Sequence, residues 1–224
     1  MRIFYVLLFA LVMVSCSTGK TIEPKTGRDF INASIRYHDP EANWEDLKAT
    51  FLFQDSLPPN RENRSYQVSF DNSKSLMKYW IEGLEYSVSE DSVWIIEGEI
   101  DIDRALRMRN YYLYLWGLPM KLADSGTIIE DEVKIETLDG IEYHVVRVPY
   151  EKDIWYFYLE PNTYRMAAYK FYQDEPNLKG EIIYLEGEKE FEGIKIPSNR
   201  IWYRTERPEF LGKDILLEII PNEN

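Results

Sequence analysis

Alternation of apolar and polar residues with a period of two recurs along most of the chain, and it constrains the fold more than any other feature. This pattern is typical of a β-strand with one buried and one exposed face. No helical crossover separates consecutive strands after residue 133, so the pattern predicts antiparallel pairing. The predicted strands are residues 44–53, 64–71, 75–83, 84–89, 93–99, 133–138, 141–150, 154–159, 165–172, 181–188, 190–196, 201–205 and 215–219.

Two short polar segments predict hairpins between neighbouring strands. Asp139-Gly140 follows strand 133–138 and has the composition of a type I′ turn. Residues 160–164, Glu-Pro-Asn-Thr-Tyr, stand between the next pair of strands and predict a second hairpin.

Two segments have helical periodicity instead. Residues 28–38 place Ile31 and Ile35 at helical spacing, and residues 103–116 form a longer helix that ends at Gly117. Near its end the second helix is apolar on almost every side, which is typical of a helix buried on several sides. The predicted fold class is therefore mainly β (α+β): a single strongly curved antiparallel sheet, or incomplete barrel, with one or two helices on its concave face.

The N-terminus has the pattern of an export signal. The apolar run 3–14 follows Met1-Arg2 and is too short for a membrane-spanning helix, which needs roughly 20 residues. Residues 13–16, Met-Val-Ser-Cys, resemble the lipobox of bacterial lipoproteins, and this resemblance implies acylation of Cys16. The alternative is an ordinary secretory signal. The predicted organisation is a signal peptide at 1–15, a lipidated cysteine and flexible tether at 16–27, and a single β-rich domain at 28–224.

The cysteine count and the charge indicate how the chain would be held in the cell. Cys16 is the only cysteine, so the folded domain has no thiol for a disulfide or a zinc cluster. The net charge of −13 argues against a nucleic-acid partner and against electrostatic attachment to anionic lipid. Attachment to the membrane is therefore predicted to come from acyl chains on Cys16, in the bacterial cell envelope, with the membrane and the face left open.

The two histidines are the first candidates for chemistry. His38 beside Asp39 has the composition of a general base or a metal ligand, whereas the structural alternative makes His38 a cation or donor at the end of a helix. We favour the structural alternative. His144 lies within a predicted strand, and no motif such as HExxH or GxSxG is present. The sequence therefore predicts no catalytic residue, no metal site and no cofactor.

The second helix and the residues after it form the candidate ligand site. If this segment fills a curved sheet, Tyr112, Leu115, Trp116, Leu118 and Met120 would line an apolar hollow; the alternative is plain core packing, which we favour. Arg109 on the same helix needs a partner if it is buried. That partner is either an anionic ligand head group or a nearby acid, of which the sequence offers Glu99, Asp101 and Asp124.

Several segments resemble a known family. The sequences YHDP with Trp44, RNYYLYLWGLPMKL and WYFYLEPNTY are similar to the DUF6503 proteins, uncharacterised lipoproteins of Bacteroidota, and residues 180–183, 193–197 and 202–203 extend the match. The turn at 160–163 also resembles the lipoprotein carriers of the LolA and LolB type. That second resemblance implies an incomplete barrel filled by helices, with acyl chains held in the hollow.

Three functions are compatible with these features. The leading hypothesis is a non-enzymatic, membrane-anchored module that binds a lipid or another apolar ligand. The second is an interaction subunit of an envelope assembly, which would use exposed aromatic side chains to bind protein or glycan. The third is a hydrolase that uses carboxylates or His38.

Overall fold

The computed structural model describes residues 23–222, and it consists mainly of one large antiparallel sheet. The sheet has 12 strands in the order β5-β4-β3-β2-β1-β14-β13-β10-β9-β8-β7-β6, and it is not closed into a barrel. Its strands are β1 Lys48–Ser56, β2 Ser65–Asp71, β3 Leu76–Ile81, β4 Leu84–Ser89, β5 Ser92–Glu97, β6 Val133–Leu138, β7 Ile141–Pro149, β8 Ile154–Leu159, β9 Met166–Asp174, β10 Lys179–Glu186, β13 Asn199–Arg204 and β14 Phe210–Pro221.

The topology joins two meanders at the centre of the sheet. The last strand, β14, pairs with the first strand, β1, so the N-terminal strands form one half of the sheet and the C-terminal strands the other. The edge strands β5 and β6 follow each other in sequence, separated by helix α2 (Ile102–Leu115). Helix α2 therefore connects opposite edges of the sheet. The face on which it packs, which carries Phe53 and Phe157, is called the inner face below.

Helix α1 (Gly27–His38) begins at a capping box. The Thr26 hydroxyl accepts from the Asp29 amide, and the Asp29 carboxylate accepts from the Thr26 amide. A Cβ at Gly27 would lie 2.0 Å from the carbonyl oxygen of Glu130, so only glycine permits this approach to the chain before β6. Phe30 and Ile31 then pack against the C-terminal half of the sheet.

Helix α2 packs between the two halves of the sheet. The Asp101 carboxylate caps it by accepting from the Arg104 amide. Tyr112 and Trp116 belong to the hydrophobic cluster on the N-terminal strands, whereas Leu115 and Leu118 belong to the cluster on the C-terminal strands. The helix and the residues after it therefore link two clusters into one core.

The predicted fold class is confirmed, including both helices and the type I′ hairpin. Asp139 and Gly140 have φ angles of 52° and 82°, as this turn requires. One prediction is wrong: residues 190–196 are not a single strand. They contain β11 (Lys189–Phe191) and β12 (Ile194–Ile196), a separate two-stranded sheet, because the chain reverses at Glu192-Gly193 with positive φ at both residues.

A second correction concerns the start of the first strand. Trp44 lies in a 3-10 turn, Asn43–Asp46, and pairing with β2 begins only at Lys48. The predicted signal peptide and Cys16 lie outside the described residues. No helix within residues 23–222 has the length and apolar character that a membrane span requires.

Candidate functional site

The residues predicted to line an apolar hollow pack against one another and against the sheet. Tyr112, Leu115, Trp116, Leu118 and Met120 are all buried. The Trp116 ring lies 4.6 Å from the Phe53 ring, measured between centroids, and meets the Phe51 ring edge-on at 6.3 Å. The segment thus packs into the space beneath it, and of the five predicted side chains Met120 is the one that lines a cavity described below.

A buried arginine completes this interior. The Arg200 guanidinium lies 3.4 Å from the centroid of the Trp116 ring, and it donates to the backbone carbonyls of Pro197 and Leu115 at 3.0 and 3.1 Å. Burial lowers the pKa of this guanidinium. The stacking and the two carbonyls are the contacts that compensate for placing the cation in the core. The Nε of Arg200 has no hydrogen-bond partner among residues 23–222. Arg200 is a fully buried core residue that the sequence analysis missed.

His38 is buried as well, and both of its ring nitrogens have partners. Nε2 accepts from the Met166 amide at 3.1 Å, so Nδ1 carries the proton and donates to the Lys195 carbonyl at 2.7 Å. Burial lowers the pKa of His38 to about 4. His38 is therefore a neutral link from helix α1 to β9 and β12; it is the donor of the structural alternative and carries no charge at neutral pH.

The neighbouring candidate residues also have structural partners. The Asp39 carboxylate accepts from the amides of Asn43 and Trp44 at 2.8 and 2.9 Å, which fixes the 3-10 turn. His144 packs on the Phe30 ring with the centroids 4.5 Å apart. Within residues 23–222, no three side chains of the metal-binding types come together.

An open cleft lies beside helix α2, and we call it the rim cleft. It consists of two adjoining cavities of about 650 and 630 Å³, which share Ser75, Leu113, Lys121 and Asp124. Each cavity is within the size range of small-molecule sites. The first cavity is lined by apolar and acidic side chains that include Ile35, Trp44, Met120, Glu45 and Asp46, and the second by Arg109, Asn110, Tyr114, Tyr150, Asp153 and Trp155.

Two polar groups that line the rim cleft lack a partner among the described residues: the Asn72 Oδ1, which is an acceptor, and the guanidinium Nε of Arg109, which is a charged donor. Arg109 is the cation of this pair. Its Nε is buried and has no hydrogen-bond partner among residues 23–222, and no carboxylate in that range lies within ion-pair distance of it. Asp124, one of the acids expected to pair with it, instead pairs with Lys121. A buried donor without an acceptor is costly, so this position is suited to receive one from a ligand.

Aromatic side chains form a fixed wall beside Arg109. The hydroxyls of Tyr114 and Tyr150 share a hydrogen bond of 2.5 Å, and both rings contact the Trp155 ring edge-on. Burial raises the pKa of the Asp153 carboxyl at the same wall. Among residues 23–222, the cleft thus combines an apolar wall, the cation of Arg109 and flanking acids.

The opposite, outer face of the C-terminal strands carries a second concavity of about 700 Å³. Tyrosines from four strands line it: Tyr158, Tyr172, Tyr184 and Tyr203. Charged groups at this groove pair within the protein, as Lys170 does with Glu136 and Arg204 with Glu209. The groove is therefore a tyrosine-rich surface with little unpaired charge.

Comparisons with known proteins agree with this architecture. A LolA superfamily protein from Nitrosomonas europaea superposes with a TM-score of 0.56 at 11% identity, over 89% of this chain and 94% of that one. A DUF1329 family protein from Desulfovibrio piger gives 0.55 at 10% identity, over 88% and 94%. At this level of sequence identity, these likenesses confirm the LolA-like fold alone. A search of the curated proteins gives no match.

The family assignment is more specific than the likeness of fold. Residues 89–218 match the family described as a family of unknown function, DUF6503. The matched range runs from the last residue of β4 into β14 and so includes β5, helix α2 and Arg109. This chain belongs to the DUF6503 family.

Proposed function

We propose that this chain is a non-enzymatic binding module that holds an amphiphilic lipid in the rim cleft, with Arg109 at the anionic head group. The observation that carries the proposal is the buried, unpartnered Nε of Arg109 beside a cavity of about 630 Å³. An acceptor on the ligand would satisfy this donor with a charge-assisted hydrogen bond.

The apolar part of the ligand would lie along helix α2. Leu113 borders both cavities of the rim cleft, Tyr114 and Trp155 form one wall, and Trp44 and Met120 line the other end. Aromatic side chains offer a large apolar surface to a hydrocarbon chain, and the flexible side chain of methionine adapts to its irregular shape. The LolA-like fold is compatible with this function.

Anchoring to the envelope is part of the same proposal. Acyl chains on Cys16 would hold the domain at a membrane, where amphiphilic lipids are abundant. Treatment with globomycin, and the variant Cys16→Ala, should each slow the migration of the protein on a gel, because the signal peptide stays attached. Unchanged migration in both cases would contradict lipidation.

Direct binding of a fluorescent fatty acid tests the binding site. A soluble form that begins after Cys16 is titrated with cis-parinaric acid. We expect saturable binding that weakens by about tenfold in Arg109→Gln, which corresponds to about 1.4 kcal/mol. The matched control is Arg107→Gln, since Arg107 is exposed on the same helix and does not line the cleft. Absence of saturable binding, or an equal loss in both variants, would contradict the proposal.

A second candidate is an interaction subunit of an envelope assembly, and the tyrosine-rich groove on the outer face favours it. Half-buried Tyr184 and Tyr203 contact each other edge-on there, with centroids 6.0 Å apart. Tyrosine is a frequent anchor in binding interfaces. If Tyr203→Ala leaves fatty-acid binding unchanged but lowers recovery of a cross-linked envelope protein, the groove acts separately from the rim cleft.

The geometry does not favour the third hypothesis, hydrolysis with His38. A general base must reach the proton that it removes, and His38 is fully buried with both ring nitrogens bonded to the backbone.

A further inference from the structure

The two edges of the large sheet differ in how they are protected. Edge strands expose unpaired backbone groups, and proteins usually shield them with charged side chains, bulges or covering segments. Edge strand β6 carries Lys134 and Glu136, and Glu136 is bonded to Tyr158 and Lys170. The chain just before β6 is covered by helix α1, whose Gly27 amide donates to the Asp131 carbonyl.

Edge strand β5 has much less protection. Trp94, Ile95 and Ile96 are 52%, 43% and 58% exposed, although they are large apolar residues. Backbone pairing of β5 with β4 uses one side of the strand, and no residue within 23–222 pairs with its other side. The one irregularity is a bulge where the register shifts between Glu85 and Tyr86, which leaves Ile96 unpaired. The regular stretch open to a new neighbour is therefore 92–95.

We propose that β5 is an acceptor edge on which a partner protein adds an extended segment as a thirteenth strand. The unpaired backbone provides hydrogen bonds, and the exposed side chains on both faces provide cross-strand contacts. This site is separate from the rim cleft, so it does not depend on the proposed lipid function.

Charge indicates what kind of strand fits this edge. Residues 79–103, which include β4 and β5, contain eight Asp or Glu and no Lys or Arg. Acids lie at both ends of β5: Glu90 and Asp91 precede it, Glu97 is its last residue and Glu99 follows it. The complementary partner is a segment rich in β-branched residues and flanked on both sides by Lys or Arg.

The same charges argue against a second copy of this chain as the occupant. Antiparallel pairing of two β5 strands about a two-fold axis would place Glu97 of each copy near Ser92 and Asp91 of the other. Like charges brought together at both ends of such a pair would weaken it. A basic strand from another protein meets no such repulsion.

The test uses labelled peptides and one matched pair of variants. The probe is the peptide KKTVTVTKK, and its comparison is EETVTVTEE, which has the same strand-forming centre and acidic ends. Binding is measured by fluorescence anisotropy at low salt, and hydrogen exchange reports protection of the amides at 92–95. We expect the basic peptide to bind at least tenfold more tightly than the acidic one, with slower exchange at those amides.

Trp94→Lys should weaken the basic peptide by at least tenfold, because it adds a cation to the exposed edge. Ile135→Lys makes the same change on the other edge, at a side chain that is 56% exposed, and should leave binding unchanged. Both sites are exposed, so both variants should melt close to the parent protein, which thermal unfolding checks. Equal effects of the two variants, equal binding of the two peptides, no binding at all, or a dimer of the parent protein that Trp94→Lys dissociates would each overturn the proposal.

Discussion

The interior beneath helix α2 and the rim cleft beside it each contain an arginine, and the two arginines differ in their surroundings. Both have a buried Nε without a hydrogen-bond partner in the described part of the chain, but only Arg109 lines the rim cleft. Arg200 in the interior stacks on Trp116 and donates to two backbone carbonyls. Arg109 in the rim cleft has a buried Nε without an acceptor, and no carboxylate in the described part of the chain lies within ion-pair distance of it. The first arrangement stabilises the fold, whereas the second is an incomplete set of hydrogen bonds that a ligand can complete.

The comparison extends to the other polar groups of the core. His38 and Asp39 are bonded to backbone groups of neighbouring segments, so they hold the fold together. Trp116, Leu115 and Leu118 were candidates for a ligand hollow, but their closest described neighbours are core side chains. Missing partners alone do not indicate a ligand site, because Trp116 Nε1 and Tyr169 Oη in the core also lack hydrogen-bond partners among the described residues. Arg109 Nε differs from these atoms because its residue lines a cavity that a ligand can enter.

Removal of the Trp116 side chain should have the largest effect on stability. The ring is fully buried against Phe53 and Arg200, so Trp116→Ala should lower the free energy of unfolding by about 4 kcal/mol. Urea denaturation measures the change. Trp94→Ala is the control, because half of that side chain is exposed, and it should change the stability by less than about 1 kcal/mol. A similar small loss in Trp116→Ala would mean that the interior is not well packed.

The free energy of unfolding should decrease in acid because His38 is buried in its neutral form. The pKa of His38 is lowered from 6.5 to about 4 by burial, so between these values the unfolded chain binds a proton that the folded chain does not. The contribution of neutral His38 to the free energy of unfolding is fully present above pH 6.5. As the pH falls toward 4 this contribution is lost, and the free energy of unfolding decreases by about 3 kcal/mol in total. Urea denaturation at pH 7.0 and 4.5 should therefore show a smaller decrease for His38→Gln than for the parent protein. Equal decreases would contradict the assigned role.

Replacement of the buried arginine tests the structural side of the comparison directly. Arg200→Met keeps most of the side-chain volume but leaves the carbonyls of Leu115 and Pro197 without their donors. We expect the free energy of unfolding to fall by about 2 kcal/mol, as for lost hydrogen bonds to a charged group. The control is Arg207→Met, an arginine at the surface. A variant as stable as the parent protein would show that the cost of burying the cation equals the gain from its contacts.

Much of the fold could be predicted from local sequence patterns. Period-two alternation predicted most of the strands correctly. The Asp139-Gly140 pair predicted a turn because a type I′ turn requires positive φ at both central residues, which these residue types tolerate. The hairpin that ends at Ile196 was missed because Glu192 adopts positive φ without being glycine or asparagine. Local patterns also do not determine which strands pair across the chain, and the pairing of β1 with β14 is an example.

The candidate site was less predictable, because its polar groups are distinguished only by tertiary contacts. Arg200 and Arg109 are the same residue type in segments of similar composition, and nothing local indicates that one finds two carbonyls and the other none. For His38, the neighbouring Asp39 suggested chemistry. The long-range contacts with Lys195 and Met166 assign it a structural role instead.

Arg109→Gln should have the smallest effect on stability of the variants considered. It therefore tests most directly whether Arg109 serves ligand binding while Arg200 serves the fold. Its Nε makes no hydrogen bond to any described residue, so its removal should change the free energy of unfolding by less than about 0.5 kcal/mol, or raise it slightly by removing an unsatisfied donor. Urea denaturation and fatty-acid titration of the same preparation give the two quantities. The two arginines should then behave in opposite ways: Arg109→Gln loses ligand and keeps stability, whereas Arg200→Met loses stability and keeps the affinity of its folded fraction. If Arg109→Gln unfolds as easily as Arg200→Met, its guanidinium has a structural partner in solution, and the rim cleft loses the group on which lipid recognition was argued.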